Sequence, residues 1–289
     1  MDRFGDRVLE FSDGALLLAS NYAKEVESTI LGFQASLKPD YVEMLVFDIE
    51  NDVKFFALKK AAKRGAEKVE AVDVEDALKT FGKPEEFIKS HIGKAENCLD
   101  SQRNTLGTLK AIKEKLDQVQ TPMVLDAGCR WGRVSKKLGS SAKELQIVGV
   151  DLDKLSLQYG KTVNKTTGFI RSDIQTLPFK NQVFDVILCS GVIHEVKSMK
   201  GRREAVKEFS RILAARGSIY LIDAFAKLRI ISALTLVLQH VSRNIEWIPK
   251  RETIEKMLKE SGFEITIVRT SSSPFSRVIS LNTLVATKT

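Results

Sequence analysis

The hydrophobic period of this chain changes once, at Pro122, and that change fixes what it can fold into. From Gly14 to Gln118 apolar residues recur at three-and-four spacing, the signature of helices with one buried face. "DGALLLASNYAKEVESTILGFQ" predicts a helix capped by Asp13. "KPDYVEMLVFDIENDVKFFALKKAAKRG" predicts a long helix with Pro39 in its first turn, acids early and basic residues before Gly65. "DVEDALKTFG" predicts a short helix that starts on an Asp73 cap and stops at Gly82. Helical patterns continue through "KPEEFIKSHIGKAENCL" and "SQRNTLGTLKAIKEKLDQV", and no strand of any length is expected before Pro122.

After Pro122, short apolar runs alternate with amphipathic stretches. The predicted strands are "PMVLDA", "LQIVGVD", "GFIRSD", "FDVILCS", "GSIYLID", "FEITIVRT" and "SLNTLVATK". Helical segments separate the first five, which requires crossovers and a mostly parallel sheet. Only "SSSPFSRV" separates the last two, too little for a crossover, so they should pair antiparallel. Two domains are expected: an all-α part over 1–118 and an α/β part over 119–289.

Charge divides at the same place. Residues 1–118 hold 18 Lys and Arg against 22 Asp and Glu, whereas 119–289 hold 27 against 15, a net +12. The positive half suits an acidic substrate or a nucleic acid, or serves solubility alone. Three widely spaced cysteines, Cys98, Cys129 and Cys189, form neither a zinc pattern nor a disulfide framework, so no metal is expected and a reducing cytoplasm fits. The start, "MDRFGDRVLE", has no apolar signal core. The longest apolar stretch, Leu228 to Val241, falls short of the roughly 20 residues of a membrane span and reads as a buried or substrate-facing helix.

Within the α/β part, "VLDAGCRWGRVSKKLG" places a glycine turn between a strand and a helix, a geometry that invites a nucleotide-like ligand. A dinucleotide needs its pyrophosphate on that turn. Asp126, directly before the turn, would repel a pyrophosphate but suit an ammonium group. S-adenosylmethionine has an ammonium, a sulfonium and an adenosine, and no phosphate. Asp151 ends the next strand, where a carboxylate can accept from both ribose hydroxyls. Asp173 follows the third strand and can accept from an adenine amino group.

These pieces, with "SDIQTLPF", "FDVILCSGVIHEV", "EFSRILAARGSIYLID" and the closing "SGFEI", make residues 122–289 resemble a class I S-adenosylmethionine-dependent methyltransferase of the type 11, UbiE-like group. The resemblance implies a Rossmann-like sheet of seven strands with the last antiparallel. It implies that Asp126, Gly128 and Gly132 hold the methionine end, that Asp151 holds the ribose and Leu152 lies against the adenine, and that Asp173 and Ile174 take the adenine edge. Cys189 and Ser190 would end the fourth strand beside the sulfonium. Arg130 departs from the family, which usually has glycine there. It can pair with a carboxylate of cofactor or acceptor, point into solvent, or block the pocket and mark a domain that has lost catalysis.

His194, just beyond the fourth strand, is the candidate general base; the plainer reading is a residue that shapes the pocket or caps a helix. Glu195 reads as a helix N-terminal charge. His91 and His240 read as structural, and Cys129 as a small packing residue. Lys200, Arg202 and Arg203 form a basic cluster that is either a solvated helix face or a phosphate site. The stretch from Ala224 to Trp247 suggests a partly apolar acceptor, or a helix buried against the other domain. Residues 39–82 resemble the second helix, loop and third helix of a histone fold; the plainer reading of the first domain is a cap over the pocket or a homodimerisation module. The expected activity is methyl transfer to a small, partly apolar molecule. A nucleic-acid (RNA) methyltransferase and an inactive regulatory or interaction protein are the alternatives.

Overall fold

The computed structural model describes residues 9–33, 39–86, 107–117, 119–139, 145–227, 248–270 and 279–289. The chain divides into two compact units, 1–102 and 103–289.

In the first unit, β1 (Glu10–Phe11) precedes α1 (Asp13–Phe33), then come α2 (Pro39–Lys63), β2 (Lys68–Val69) and α3 (Ala71–Phe81). The two-residue strands pair in parallel, Glu10 with Lys68 and Phe11 with Val69. Both helix starts differ in detail from the sequence reading. Ser12 Oγ accepts from Ala15 N at 3.2 Å, so the cap of α1 is one residue before Asp13. For α3 the cap residue is Glu70, and Asp73 is the third residue of the helix. Its carboxylate reaches back to accept from Glu70 N at 2.9 Å, which satisfies an orphan N–H from inside the first turn. Gly82 ends α3 with φ 74°, as a helix stop requires. The predicted elements over 87–106 lie outside the described residues.

The second unit starts with α4 (107–116). Periodicity alone assigns this helix to the first domain. Leu109, Ile112 and Leu116 instead pack on Val124, Ile147, Val186, Leu188, Tyr220, Ile222 and Val285 of the sheet. A helical period marks which face is buried and says nothing of which neighbour buries it. There follow β3 (Met123–Ala127), α5 (Arg133–Gly139), β4 (Gln146–Asp151), α6 (Lys154–Val163), β5 (Thr167–Arg171), β6 (Phe184–Ser190), α7 (Met199–Ile212), β7 (Leu213–Ala226), α8 (Arg251–Glu260), β8 (Phe263–Thr270) and β9 (Ile279–Lys288).

The seven strands lie in the order β5-β4-β3-β6-β7-β9-β8. Strands β3 to β7 pair in parallel, and β9 is antiparallel to both β7 and β8. Alternate residues supply two cores. Leu125, Ala127, Ile187, Cys189, Ile219 and Leu221 belong to one face, whereas Val124, Val186, Leu188, Tyr220 and Ile222 belong to the other. A sheet covered on both sides explains why its strands read as continuous apolar runs. The chain enters at β3 in the middle and runs first to one side and then to the other. Ligands of open sheets bind at the carboxyl ends of the strands beside such a reversal.

Candidate active site

The carboxyl end of β3 turns on Gly128, Cys129, Arg130, Trp131 and Gly132. Gly128 N and Cys129 N donate to Val150 O of β4 at 2.8 and 3.0 Å, folding the turn over the neighbouring strand. Gly128 has φ 76°, and a Cβ there would lie 2.2 Å from Val192 Cγ2 in the loop after β6. The turn and that loop therefore meet at a distance only glycine allows.

Arg130 takes φ 50°, a left-handed conformation that glycine would adopt without strain. Its backbone N–H donates to Asp151 Oδ2 at 2.8 Å. Asp151 Oδ1 accepts from Asp153 N at 2.9 Å. Each oxygen of Asp151 thus spends one of its two acceptor positions on the backbone and retains one. That capacity matches a pair of ribose hydroxyls. Beside it, Leu152 is 60% exposed, an apolar side chain just past the carboxyl end of β4.

Asp126 is enclosed beneath the turn, where its carboxylate accepts from Ser135 Oγ of α5. Burial pushes its carboxyl up to about 6, and the Ser135 hydrogen bond only partly offsets this. Asp126 is 4% exposed, so its carboxylate offers no open surface, and what it presents at the edge is its charge and the turn above it. Asp173 stands two residues past β5. Its Oδ1 accepts from Gln175 N at 2.9 Å, and the Gln175 side-chain amide donates to both oxygens, at 3.1 and 3.0 Å. Gln175 escaped the sequence reading. It occupies much of the acceptor capacity the reading gave to an adenine amino group. Ile174 is 6% exposed and belongs to the core.

Cys189, 1% exposed, is enclosed in the same core, so of the two residues expected beside the sulfonium only Ser190 reaches the edge. Strand alternation alone accounts for this, since Cys189 points to the face that α7 covers. Burial raises the thiols of both Cys189 and Cys129, so neither is a thiolate nucleophile. The sulfur of Cys129 packs where a Cβ on Gly149 would fall, 2.7 Å away.

The loop after β6 brings two further groups together. His194 Nδ1 lies 2.5 Å from Asp223 Oδ1 on β7. Arg202 is not a surface cation; it is fully buried in α7, and its guanidinium donates to Ile193 O at 3.1 Å and to His194 O at 3.3 Å. Of the basic cluster, only Lys200 and Arg203 face solvent. Glu195 is exposed in a turn, and α7 starts later, on a Ser198 cap. The one available signal for Asp223 was a carboxylate at the end of an apolar strand; for Arg202 there was none.

Residues 125–221 match the model of a methyltransferase domain. Over these residues the chain carries a methyltransferase domain. Over 103 residues the chain is 30% identical to probable tRNA methyltransferase 9B of Mus musculus, a match that covers 36% of this chain and 22% of that protein. It is 21% identical over 175 residues to demethylmenaquinone methyltransferase of Chlorobaculum tepidum, covering 54% and 71%. The solved structure of the YcgJ protein from Bacillus subtilis shares the fold, with a TM-score of 0.52, 14% identity, and 65% and 98% of the two chains covered. The chain spans less than half the length of the curated relatives that it matches at 28% identity or above.

The residues present fit S-adenosylmethionine: each Asp151 oxygen has a further acceptor position, Leu152 is an exposed apolar side chain beside it, and a glycine turn covers the β3 edge. Among the described residues no group of three or more His, Cys, Asp or Glu could hold a metal ion. Among them, too, no helix is long and apolar enough to cross a membrane. The apolar stretch 228–241, Trp247, Cys98, His91 and His240 lie outside the described residues.

Proposed function

We propose that this chain transfers a methyl group from S-adenosylmethionine to a small, partly apolar acceptor. The observation that carries this reading is Asp151, whose two carboxylate oxygens hold the turn and the next loop while each keeps one acceptor position. When bound, S-adenosylmethionine supplies an electrophilic methyl whose bonding electrons leave with sulfur. Asp151 holds the ribose and Leu152 covers one face of the adenine. Gly128 and Gly132 shape the turn for the methionine end, and the charge of Asp126 beneath it favours an ammonium over a phosphate. Asp173 and Gln175 close the adenine edge, with Ile174 packed behind them. Ser190 stands where the acceptor approaches. The chain's task is to place the acceptor in line with the methyl.

The backbone of Arg130 follows the path a glycine would take, which supports a working pocket over a lost one. The net charge of +12 over 119–289 and the mouse tRNA methyltransferase relative favour an RNA acceptor as the second reading. Steep loss of RNA binding with added salt, and methyl transfer to RNA, would select it.

Titration calorimetry tests the cofactor. S-adenosylmethionine or its demethylated product should bind, and NAD should not. Asp151→Ala should weaken binding by about 2–3 kcal/mol, roughly 30- to 150-fold. An unchanged dissociation constant in a folded variant places the pocket elsewhere.

A further inference from the structure

The loop after β6 holds a pair to which the cofactor reading assigns no part. Ser190 of β6 pairs with Ile222 of β7, so Asp223 emerges beside the Gly191 turn. Asp223 is 1% exposed and His194 18%. The carboxylate takes three donors: His194 Nδ1 at 2.5 Å, Ala224 N at 2.7 Å and His194 N at 3.3 Å. An ionised carboxylate only accepts, so the ring nitrogen facing it carries the proton, and in the neutral ring the lone pair falls to Nε2. The loop is gripped from its other side by Arg202, which holds the carbonyls of Ile193 and His194. A Cβ on Gly191 would lie 3.9 Å from His194 Cε1, the atom between the two ring nitrogens. That ring edge therefore sits against the turn that ends β6, where ligands of such sheets bind.

We infer that His194 accepts a proton from the methyl acceptor at Nε2, that Asp223 is the positioning residue fixing this tautomer, and that the acceptor is a hydroxyl. This rests on the methyl-transfer reading given above. A carboxylate acceptor arrives already deprotonated, and a neutral amine attacks through its lone pair before it sheds a proton. A hydroxyl gains most from a base at the moment of attack. The balance is simple. The O–H bond breaks and its proton joins Nε2, leaving the electron pair on oxygen. That pair forms the new O–C bond, and the electrons of the broken S–C bond stay on sulfur. The imidazolium then faces the Asp223 carboxylate until water takes its proton.

Long-range ¹H–¹⁵N NMR of the full chain distinguishes the two ring tautomers, and with 3 histidines in the chain, His194→Gln assigns the signal. The expected result is an Nδ1–H ring in the parent and a shift toward Nε2–H in Asp223→Asn. Radiolabelled S-adenosylmethionine is offered in parallel with phenol, catechol, a primary alcohol, a primary amine and a carboxylic acid. Transfer to a hydroxyl probe should fall about 100-fold or more in His194→Gln and by a smaller factor in Asp223→Asn, with the KM for S-adenosylmethionine unchanged. An Nε2–H ring in the parent overturns the inference, even if Asp223→Asn fails to fold. So does transfer undiminished in His194→Gln, or no transfer to any hydroxyl probe. Calorimetry separates the two readings. If the parent fails to bind S-adenosylmethionine the cofactor reading fails, whereas binding with the wrong tautomer sinks only this one.

Discussion

Both units bury carboxylates, and they treat them in opposite ways. In the helical unit Asp73 takes Arg64 in a two-pronged contact, Nε to Oδ1 at 2.7 Å and Nη2 to Oδ2 at 2.6 Å, while capping α3. Arg64 holds this carboxyl below the usual carboxylate range, so it is ionised wherever the protein is folded at ordinary pH. In the sheet unit Asp126 meets a neutral hydroxyl, and burial pushes its carboxyl up to about 6. Asp223 meets an imidazole. A carboxylate tied to a permanent cation is a fixed part of the fold. One tied to a neutral or titratable partner can respond to a charge brought by a ligand. Both of the second kind lie near the carboxyl edge of the sheet, where the cofactor and acceptor are proposed to bind.

The largest expected effect tests the buried acid directly. Because folding raises the carboxyl of Asp126, its contribution favours the folded state below the usual carboxylate range and is lost as pH rises through about 6. The loss is about 3 kcal/mol. Denaturant midpoints of the parent should therefore fall mainly between about pH 4 and pH 7, and Asp126→Asn should flatten that slope. An identical slope in the variant would mean that Asp126 is ionised at no cost and that the contrast between the units is false. For Asp73 the sign reverses. Its lowered carboxyl stabilises above the usual carboxylate range, and that contribution is lost as pH falls through its folded value. Asp73→Ala should cost about 1–2 kcal/mol near neutral pH from the lost cap and leave S-adenosylmethionine affinity unchanged. The smallest effect belongs to Arg130. Arg130→Gly relieves a left-handed φ and should raise stability by about 1 kcal/mol or less. If the guanidinium serves a ligand carboxylate, calorimetry on the same variant will show weaker binding. Tighter binding in the glycine variant would exclude that role.

Much of the sheet was legible because its signal is local. A strand buried on both faces must be apolar throughout, and a tight turn must be glycine-rich, so "VLDAGCRWG" and the strand tips at Asp151 and Asp173 announce themselves. The antiparallel pairing of β8 and β9 followed from the short connection between them. Helix starts were less legible, since Ser12 and Glu70 compete as caps with Asp13 and Asp73 one to three residues away, and only backbone geometry decides between them. The helix 107–116 shows the same limit at a larger scale. Its period named the buried residues, while the sheet surface they meet is set by the packing of the second unit.

By itself the sequence determined the seven strands, and the carboxylates and glycines that stand at the β3 and β4 edge. Each of these is written in a run of neighbouring residues. The tertiary structure decided what those side chains meet. It buried Cys189, engaged Asp173 with Gln175, took Arg202 out of a surface cluster to hold the loop before α7, and set Asp223 against His194 across 29 residues of chain. The physical reason is that a side chain's protonation, exposure and hydrogen-bond capacity depend on its neighbours in space. Across parallel strands those neighbours come from crossovers whose register no local pattern records.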